Sequence, residues 1–423
     1  MSKFVIEGNR KLNGEVTISG AKNAALKMLA ATILTKEKCT LTNVPRISDI
    51  DTMIEILESI GAKIKWLEKN SLEVDPSKIS SHQPSANLMK KMRASVVLAG
   101  PLLARFNKVE ITEPGGCVIG ARPVYEHWEN LKKMNVEVIQ KKEATVLQTK
   151  HLTGNKIILS AMSVTGTENI IMAAVLAKGV TDLRMAASEP EIQDLVKMLR
   201  KMGAKISGEK THNIIITGVK KLSGVKHKVL PDRIEIGTFA IAAAVTKGHV
   251  IIKNVIIDHL DSLLNRLTCA GVEFEIKKTS SSFSDLEILP SKKLHPIKID
   301  TRPYPGFPTD LQAPMSVLMT QLPKTSKIFE TIFDNRLKYM TELKKMGANV
   351  NILDSHTAEI SGPTKLKGAK ITSFDLRAGA TLVLAGLIAD GKTEISNIET
   401  IDRGYERIEN KLTNLGAKIE RKI

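Results

Sequence analysis

One short phrase recurs six times along this 423-residue chain. It reads Ile60-Gly61-Ala62-Lys63-Ile64, then Met134-Asn135-Val136-Glu137-Val138 and Met202-Gly203-Ala204-Lys205-Ile206. The later copies are Ala270-Gly271-Val272-Glu273-Phe274, Met346-Gly347-Ala348-Asn349-Val350 and Leu415-Gly416-Ala417-Lys418-Ile419. They stand 68 to 76 residues apart. So even a spacing implies one supersecondary unit used six times, which limits the possible folds more than any other feature. Each copy ends an amphipathic helix and begins a strand. Gly or Asn takes the helix-stop position, where a left-handed residue closes the last turn.

The rest of the unit repeats as well. In the first copy, residues 15–19 read as a strand, 23–34 as an apolar helix and 39–44 as a strand. An amphipathic helix follows over 49–60, then strands over 63–67 and 71–74. The order is βαβαββ, in an α/β protein. The first helix is apolar nearly all round, as it is again over 168–177, 237–245 and 378–389, so it is expected to be buried. The second helix is expected nearer the surface. The sixth copy runs out of chain one strand short, and residues 3–7 are the candidate to supply it. The N-terminal phrase Gly8-Asn9-Arg10-Lys11-Leu12-Asn13-Gly14 has the same form as the links at 218–224 and 362–368. Three copies then make a domain over 22–229, which carries Cys117. The other three, with the N-terminal strand, make a second domain of 1–21 and 230–423. Crossings near 19–21 and 230–231 are the expected hinge.

Composition narrows the function classes. No apolar run reaches the roughly 18 residues that span a bilayer, and the N-terminus has no signal-peptide pattern, so the chain reads as unexported and cytoplasmic. The three cysteines, Cys39, Cys117 and Cys269, are far apart in sequence. Neither a disulfide framework nor a metal site is expected. The formal charge of +17 suits anionic ligands or a solvated Lys-rich surface equally. With aromatics at 4%, a base-stacking platform for nucleic acid has little to build on.

Polar residues gather at helix starts. Lys22 and Asn23 open one helix, Ser163 another, and Asp232-Arg233, Pro308-Thr309-Asp310 and Asp375-Leu376-Arg377 three more. Arg122, Arg336 and Arg403 are read at the starts of second helices. Helix N-termini normally recruit acids, so cations there imply a bound anion. A single such arginine could be a surface residue, but three at matching places argue for a site. Cys117 lies in Pro114-Gly115-Gly116-Cys117-Val118-Ile119-Gly120-Ala121-Arg122, a glycine-rich loop. The nearby arginine favours its thiolate. Cys39 and Cys269 are read as packing residues. Asp310 can be a catalytic carboxylate or simply a helix cap; the local pattern leaves both open.

Residues 18–25, 91–95, 114–124, 230–237, 307–310, 374–378 and 401–409 together resemble the UDP-N-acetylglucosamine 1-carboxyvinyltransferases, also called UDP-N-acetylglucosamine enolpyruvyl transferases. The similarity spans essentially the whole chain, and the Gly-Gly-Cys loop followed by Gly-Ala-Arg-Pro is its most specific part. The resemblance implies two inside-out α/β domains of three repeats each. It implies transfer of the enolpyruvyl group of phosphoenolpyruvate to the 3-hydroxyl of UDP-N-acetylglucosamine with loss of phosphate. That is the first committed step of peptidoglycan synthesis, with consequences for cell shape and division. No cofactor or metal is implied, and the partners are these two small molecules rather than nucleic acid or membrane. Carried over by motif, Lys22, Asn23, Arg122, Arg377 and Arg403 would hold phosphoenolpyruvate. Arg93, Arg122, Pro123, Val124, Ser163, Val164, Asp310 and Ile332 would line the UDP-sugar site. Asp310 would also accept the hydroxyl proton. Cys117 would act as general acid at the phosphoenolpyruvate methylene, would form a covalent adduct with it, and would be alkylated by fosfomycin. The sequence departs from the family pattern at Tyr125, Glu126 and Ala161, in the nucleotide region.

Three other readings compete, one of them a non-catalytic repeat scaffold, which leaves the glycine-loop thiol and the helix-start arginines unexplained. A sister enzyme making 5-enolpyruvylshikimate-3-phosphate shares the fold but lacks the Gly-Gly-Cys loop. An RNA-binding or RNA-end-processing protein on a related repeat would use the positive charge.

Overall fold

The computed structural model describes residues 2–113, 115 and 124–422. These fall into two compact units: residues 20–113, 115 and 124–230 form one, and residues 2–19 with 231–422 form the other. Six small sheets carry the repeats, five of four strands and one of three among the described residues. In each four-stranded sheet an outer strand runs parallel to its neighbour, and the other pairings are antiparallel.

The repeated phrase does the same work six times. Gly61, Asn135, Gly203, Gly271, Gly347 and Gly416 have φ of 108°, 69°, 104°, 79°, 89° and 94°. This is the left-handed region, which Gly enters freely and Asn more easily than other residues. Strands Lys63–Glu68, Glu137–Gln140, Lys205–Ser207, Phe274–Lys278, Asn349–Ile352 and Lys418–Lys422 follow within a few residues.

In the unit of residues 231–422, helices Arg233–Val245, Thr309–Gln321 and Leu376–Ile388 pack on one another, and each also packs against a strand of its own repeat. Helix is therefore inside and sheet outside. This explains why these helices have no polar face: other helices and a sheet cover every side. Twelve residues of Arg233–Val245 are buried, and each large aliphatic among them contributes about 1.5–3 kcal/mol. In the other unit, Ala99–Phe106 packs on Val164–Ala174. Asn169 bridges that contact: it accepts from Gly100 N at 2.8 Å and donates to Val96 O at 3.0 Å.

Two expectations are corrected. The segment at residues 15–19 does not serve as the first strand of its own repeat. Strand Asn13–Thr17 pairs in parallel with His249–Val255 of the fourth repeat. The first repeat's sheet is completed instead by Lys226–Lys228, parallel to Cys39–Thr42. The second repeat also departs from βαβαββ, because its sheet has only Lys108–Thr112, Glu137–Gln140 and Ala144–Gln148 among the described residues. Where a fourth strand would lie, one backbone bond remains among the described residues, Glu110 N to His82 O at 3.2 Å. Pro84, two residues on, has no N–H to extend a ladder.

Candidate active site

The best-defined polar cluster lies in the unit of residues 2–19 and 231–422 and is built from helix starts. Asp310 is the second residue of Thr309–Gln321, and Arg377 the second of Leu376–Ile388. The N-cap carboxylate of Asp375 accepts from Arg377 N at 2.8 Å and Ala378 N at 3.0 Å. This cap fixes where the Arg377 side chain leaves the backbone. Arg377 Nε donates to Asp310 Oδ2 at 3.2 Å, and Arg336 Nη2 to Asp310 Oδ1 at 2.6 Å. Both guanidinium groups are buried, at 3% and 5% side-chain exposure, while Asp310 is 26% exposed. A ligand can therefore reach the carboxylate but only the near edge of the cations.

The electrostatics follow from this packing. Burial alone would raise the Asp310 carboxyl, but Arg377, Arg336 and Arg233 outweigh it and hold the pKa well below the usual carboxylate range. Burial likewise opposes the charge of Arg377, and Tyr405, Asp310 and Asp232 more than offset it, so its pKa is raised. The Arg377 guanidinium lies 5.2 Å from the Tyr405 ring centroid, and Tyr405 OH is 2.9 Å from Thr238 Oγ1. One donor group is left over: Arg377 Nη1 is buried with no hydrogen-bond partner among the described residues. A buried unmatched cationic donor is costly, and an anion is the natural partner.

The other unit carries a second set. Lys22 begins helix Lys22–Ala31 and is buried, with Nζ 2.5 Å from Asp49 Oδ2. The anion demanded by this helix-start cation is thus partly supplied from within the chain. Asn23 follows it, half-buried. Arg93 begins the 3-10 helix Arg93–Leu98. Ser163 caps Val164–Ala174, its hydroxyl accepting from Gly166 N at 3.1 Å. Behind it sits His127, pushed down to about 4 by burial and then by the charge of Arg93, and so neutral at pH 7. Glu126, Ser160, Ala161 and Ser163 border a small recess with His127. Val124 immediately precedes helix Tyr125–Lys132. Cys117, Arg122 and Pro123 lie outside the described residues.

Three readings of the sequence need correction here. Arg336 does not open a helix: it lies in a turn four residues before Met340–Lys345. Arg403 is the C-cap of Glu399–Asp402, ahead of Ile408–Asn414. Those second helices are short, so residues that a periodic pattern places at a helix start fall in the preceding turn. Cys269, read as a packing residue, is exposed at the end of helix Asp261–Cys269. Cys39 is fully buried, and burial pushes its thiol up to about 11.

Sequence reasoning missed Asp49, Glu330, Tyr405 and Thr238. Asp49 reads as an ordinary first-turn acid. Glu330 stands just past strand Lys324–Phe329, with no motif to mark it. Only the fold shows that these side chains meet the site residues.

The comparisons with known proteins agree with this architecture. The solved enolpyruvyl transferase NikO from Streptomyces tendae superposes with a TM-score of 0.90 at 22% identity, covering 99% of this chain and 98% of its own. An EPSP synthase from Acinetobacter baumannii gives 0.78 at 18% identity, with both chains fully covered. The sequence model of the EPSP synthase (3-phosphoshikimate 1-carboxyvinyltransferase) family matches residues 6–412, which makes the chain a carboxyvinyltransferase by class. UDP-N-acetylglucosamine 1-carboxyvinyltransferase 2 of Carboxydothermus hydrogenoformans is 48% identical, with 100% of this chain and 99% of the relative covered. UDP-N-acetylglucosamine 1-carboxyvinyltransferase 1 of Caldanaerobacter subterraneus is 46% identical, with both covered fully. Within its class, the chain belongs to the UDP-N-acetylglucosamine 1-carboxyvinyltransferase family.

Proposed function

We propose that this chain transfers the enolpyruvyl group of phosphoenolpyruvate to the 3-hydroxyl of UDP-N-acetylglucosamine and releases phosphate, opening peptidoglycan synthesis. The observation that carries the reading is full-length kinship with relatives of that activity, at up to 48% identity. Both substrates are anionic, which suits buried cations at helix starts. It also suits a cytoplasmic location, since neither substrate crosses a membrane unaided. Among the described residues no helix is long and apolar enough to cross one. The two compact units are proposed to be the two domains, with boundaries near residues 21 and 230.

In this reading Lys22, Asn23, Arg122, Arg377 and Arg403 hold phosphoenolpyruvate. Arg93, Arg122, Pro123, Val124, Ser163, Val164, Asp310 and Ile332 line the UDP-sugar site. The sugar 3-oxygen bonds to C2 of phosphoenolpyruvate while the methylene carbon takes a proton from Cys117 and the hydroxyl proton passes to Asp310. The resulting ketal then loses phosphate from C2 and a proton from the methyl carbon, which restores the double bond. Asp310 starts as a weak base because Arg336 and Arg377 hold its pKa down. An anion bound beside Arg377 weakens that field and raises the carboxylate's proton affinity. Substrate binding would thus switch on the base.

The test is phosphate release from phosphoenolpyruvate plus UDP-N-acetylglucosamine, with shikimate-3-phosphate as the competing acceptor. Release with UDP-N-acetylglucosamine alone is expected; release only with shikimate-3-phosphate would move the chain to the sister activity. Fosfomycin should label Cys117 and leave buried Cys39 untouched, as read by peptide mass spectrometry. Cys269 is exposed and serves as the internal control for unspecific alkylation.

A further inference from the structure

Glu330 immediately follows strand Lys324–Phe329 and is fully buried. Its Oε2 accepts from Thr309 Oγ1 at 2.8 Å. Its Oε1 accepts from Thr301 Oγ1 at 2.9 Å, Ile332 N at 2.9 Å and Phe333 N at 3.3 Å. The backbone of Glu330 is anchored as well, its N–H donating to His356 O at 2.7 Å. A buried carboxyl is costly, and an apolar side chain would serve the core better. Its value lies in what it ties together.

Thr309 is the neighbour of Asp310, and Ile332 opens the turn that leads to Arg336. Arg336 in turn binds Asp310. The segment 330–336 and the start of helix Thr309–Gln321 are therefore closed into a ring with two clasps, Glu330–Thr309 at one end and Arg336–Asp310 at the other. Neither Glu330 nor Thr309 is itself read as a substrate contact, yet Glu330 binds the Ile332 N–H and Thr309 adjoins Asp310.

We propose that Glu330 is a positioning residue for the UDP-sugar: it sets the spacing between the Asp310 carboxylate and the Ile332 backbone, so that one ligand meets both in register. This rests on the functional reading above, in which both contact the UDP-sugar. Opening the first clasp leaves the Asp310–Arg336 pair to hold the ring alone. Misplacement of bound substrate by a fraction of an ångström is enough to show in turnover.

The experiment is steady-state kinetics on the full chain with Glu330→Ala, Glu330→Gln and Thr309→Val, alongside melting curves. Glu330→Ala should raise the KM for UDP-N-acetylglucosamine about tenfold and lower kcat about tenfold, with the KM for phosphoenolpyruvate moving less than about threefold. Gln keeps an acceptor oxygen for the three-donor end, and the Thr309 hydroxyl can turn to accept from its amide. Glu330→Gln should therefore recover to within about threefold of wild type. Thr309→Val should raise the same KM in part. An unmoved KM for UDP-N-acetylglucosamine in folded Glu330→Ala overturns the role, as does a Gln variant as defective as the Ala variant. Should Glu330→Ala fail to fold, Thr309→Val decides by the same KM. Absence of wild-type turnover would instead sink the functional reading, and this role with it.

Discussion

At the scale of single residues, Asp310 concentrates the chemistry and the conflict in this molecule. Two buried arginines make it a poor base at rest, yet its own side chain is 26% exposed. Asp310→Asn should lower kcat by about 100-fold or more while UDP-N-acetylglucosamine still binds by calorimetry. Near-normal turnover would reduce Asp310 to a helix-start residue that neutralises arginines. Because its folded pKa is depressed, its pairing stabilises the protein above the unfolded carboxylate range and is lost only in strong acid. The identity of Asp310 and Arg377 as candidates was legible from Pro-Thr-Asp and Asp-Leu-Arg at helix starts. Their contact was not, because 67 residues separate them. Asp49 and Glu330 were invisible for a related reason. Each lies in a local pattern that a plain helix or strand explains fully, and only long-range packing gives it a partner.

Among the elements, the six helix stops were the most legible feature, since a left-handed Gly or Asn is a local requirement that the sequence states outright. The short second helices misled, because a periodic pattern runs on into the turns that carry Arg336 and Arg403. One contact between two apolar helices was not foreseen. Lys27 of Lys22–Ala31 lies 3.4 Å from Glu168 of Val164–Ala174, with 4% and 0% side-chain exposure. Burial pushes the Glu168 carboxyl up to about 8, although Lys27 pulls the other way. The folded state thus keeps a proton that the unfolded chain gives up at about pH 4.3. Between roughly that pH and 8 the native state binds more protons, so stability falls as pH rises. Glu168→Gln removes this titration. Its melting temperature should gain on the wild type by about 2–4 °C or more between pH 5 and 8. The readout is the slope with pH rather than the offset, since Lys27 loses its partner in the variant. Parallel curves would show that Glu168 stays ionised against Lys27 throughout.

For the whole molecule, strand exchange decides what is indispensable. Asn13–Thr17 serves the sheet of the fourth repeat, and Lys226–Lys228 that of the first, so each completes a sheet whose other strands lie far from it in sequence. The N-terminal strand makes the point most sharply. Lys3–Glu7 is an inner strand, antiparallel to Lys392–Ser396 on one side and to Lys418–Lys422 on the other. Phe4 and Ile6 are fully buried, Lys3 is paired with Glu394 at 2.8 Å, and the Arg421 guanidinium sits 4.9 Å from the Phe4 ring centroid. Chain ends are usually dispensable, but this one fills the middle of a sheet. Losing Phe4 and Ile6 alone removes about 3–6 kcal/mol of burial, comparable to the whole stability of a domain. It also strips the backbone partners from two further strands and uncovers one side of helix Leu376–Ile388, which packs on this strand. Deleting residues 2–7 should therefore abolish cooperative melting of the unit that carries Asp310 and Arg377, and activity with it. Deleting from Lys422 onward, at the end of edge strand Lys418–Lys422, should cost a few degrees at most, about 1 kcal/mol. Circular dichroism melts of the two truncations decide it: if the shorter N-terminus melts like wild type, the sheet closes without its inner strand and the N-terminal segment is not part of the fold's core.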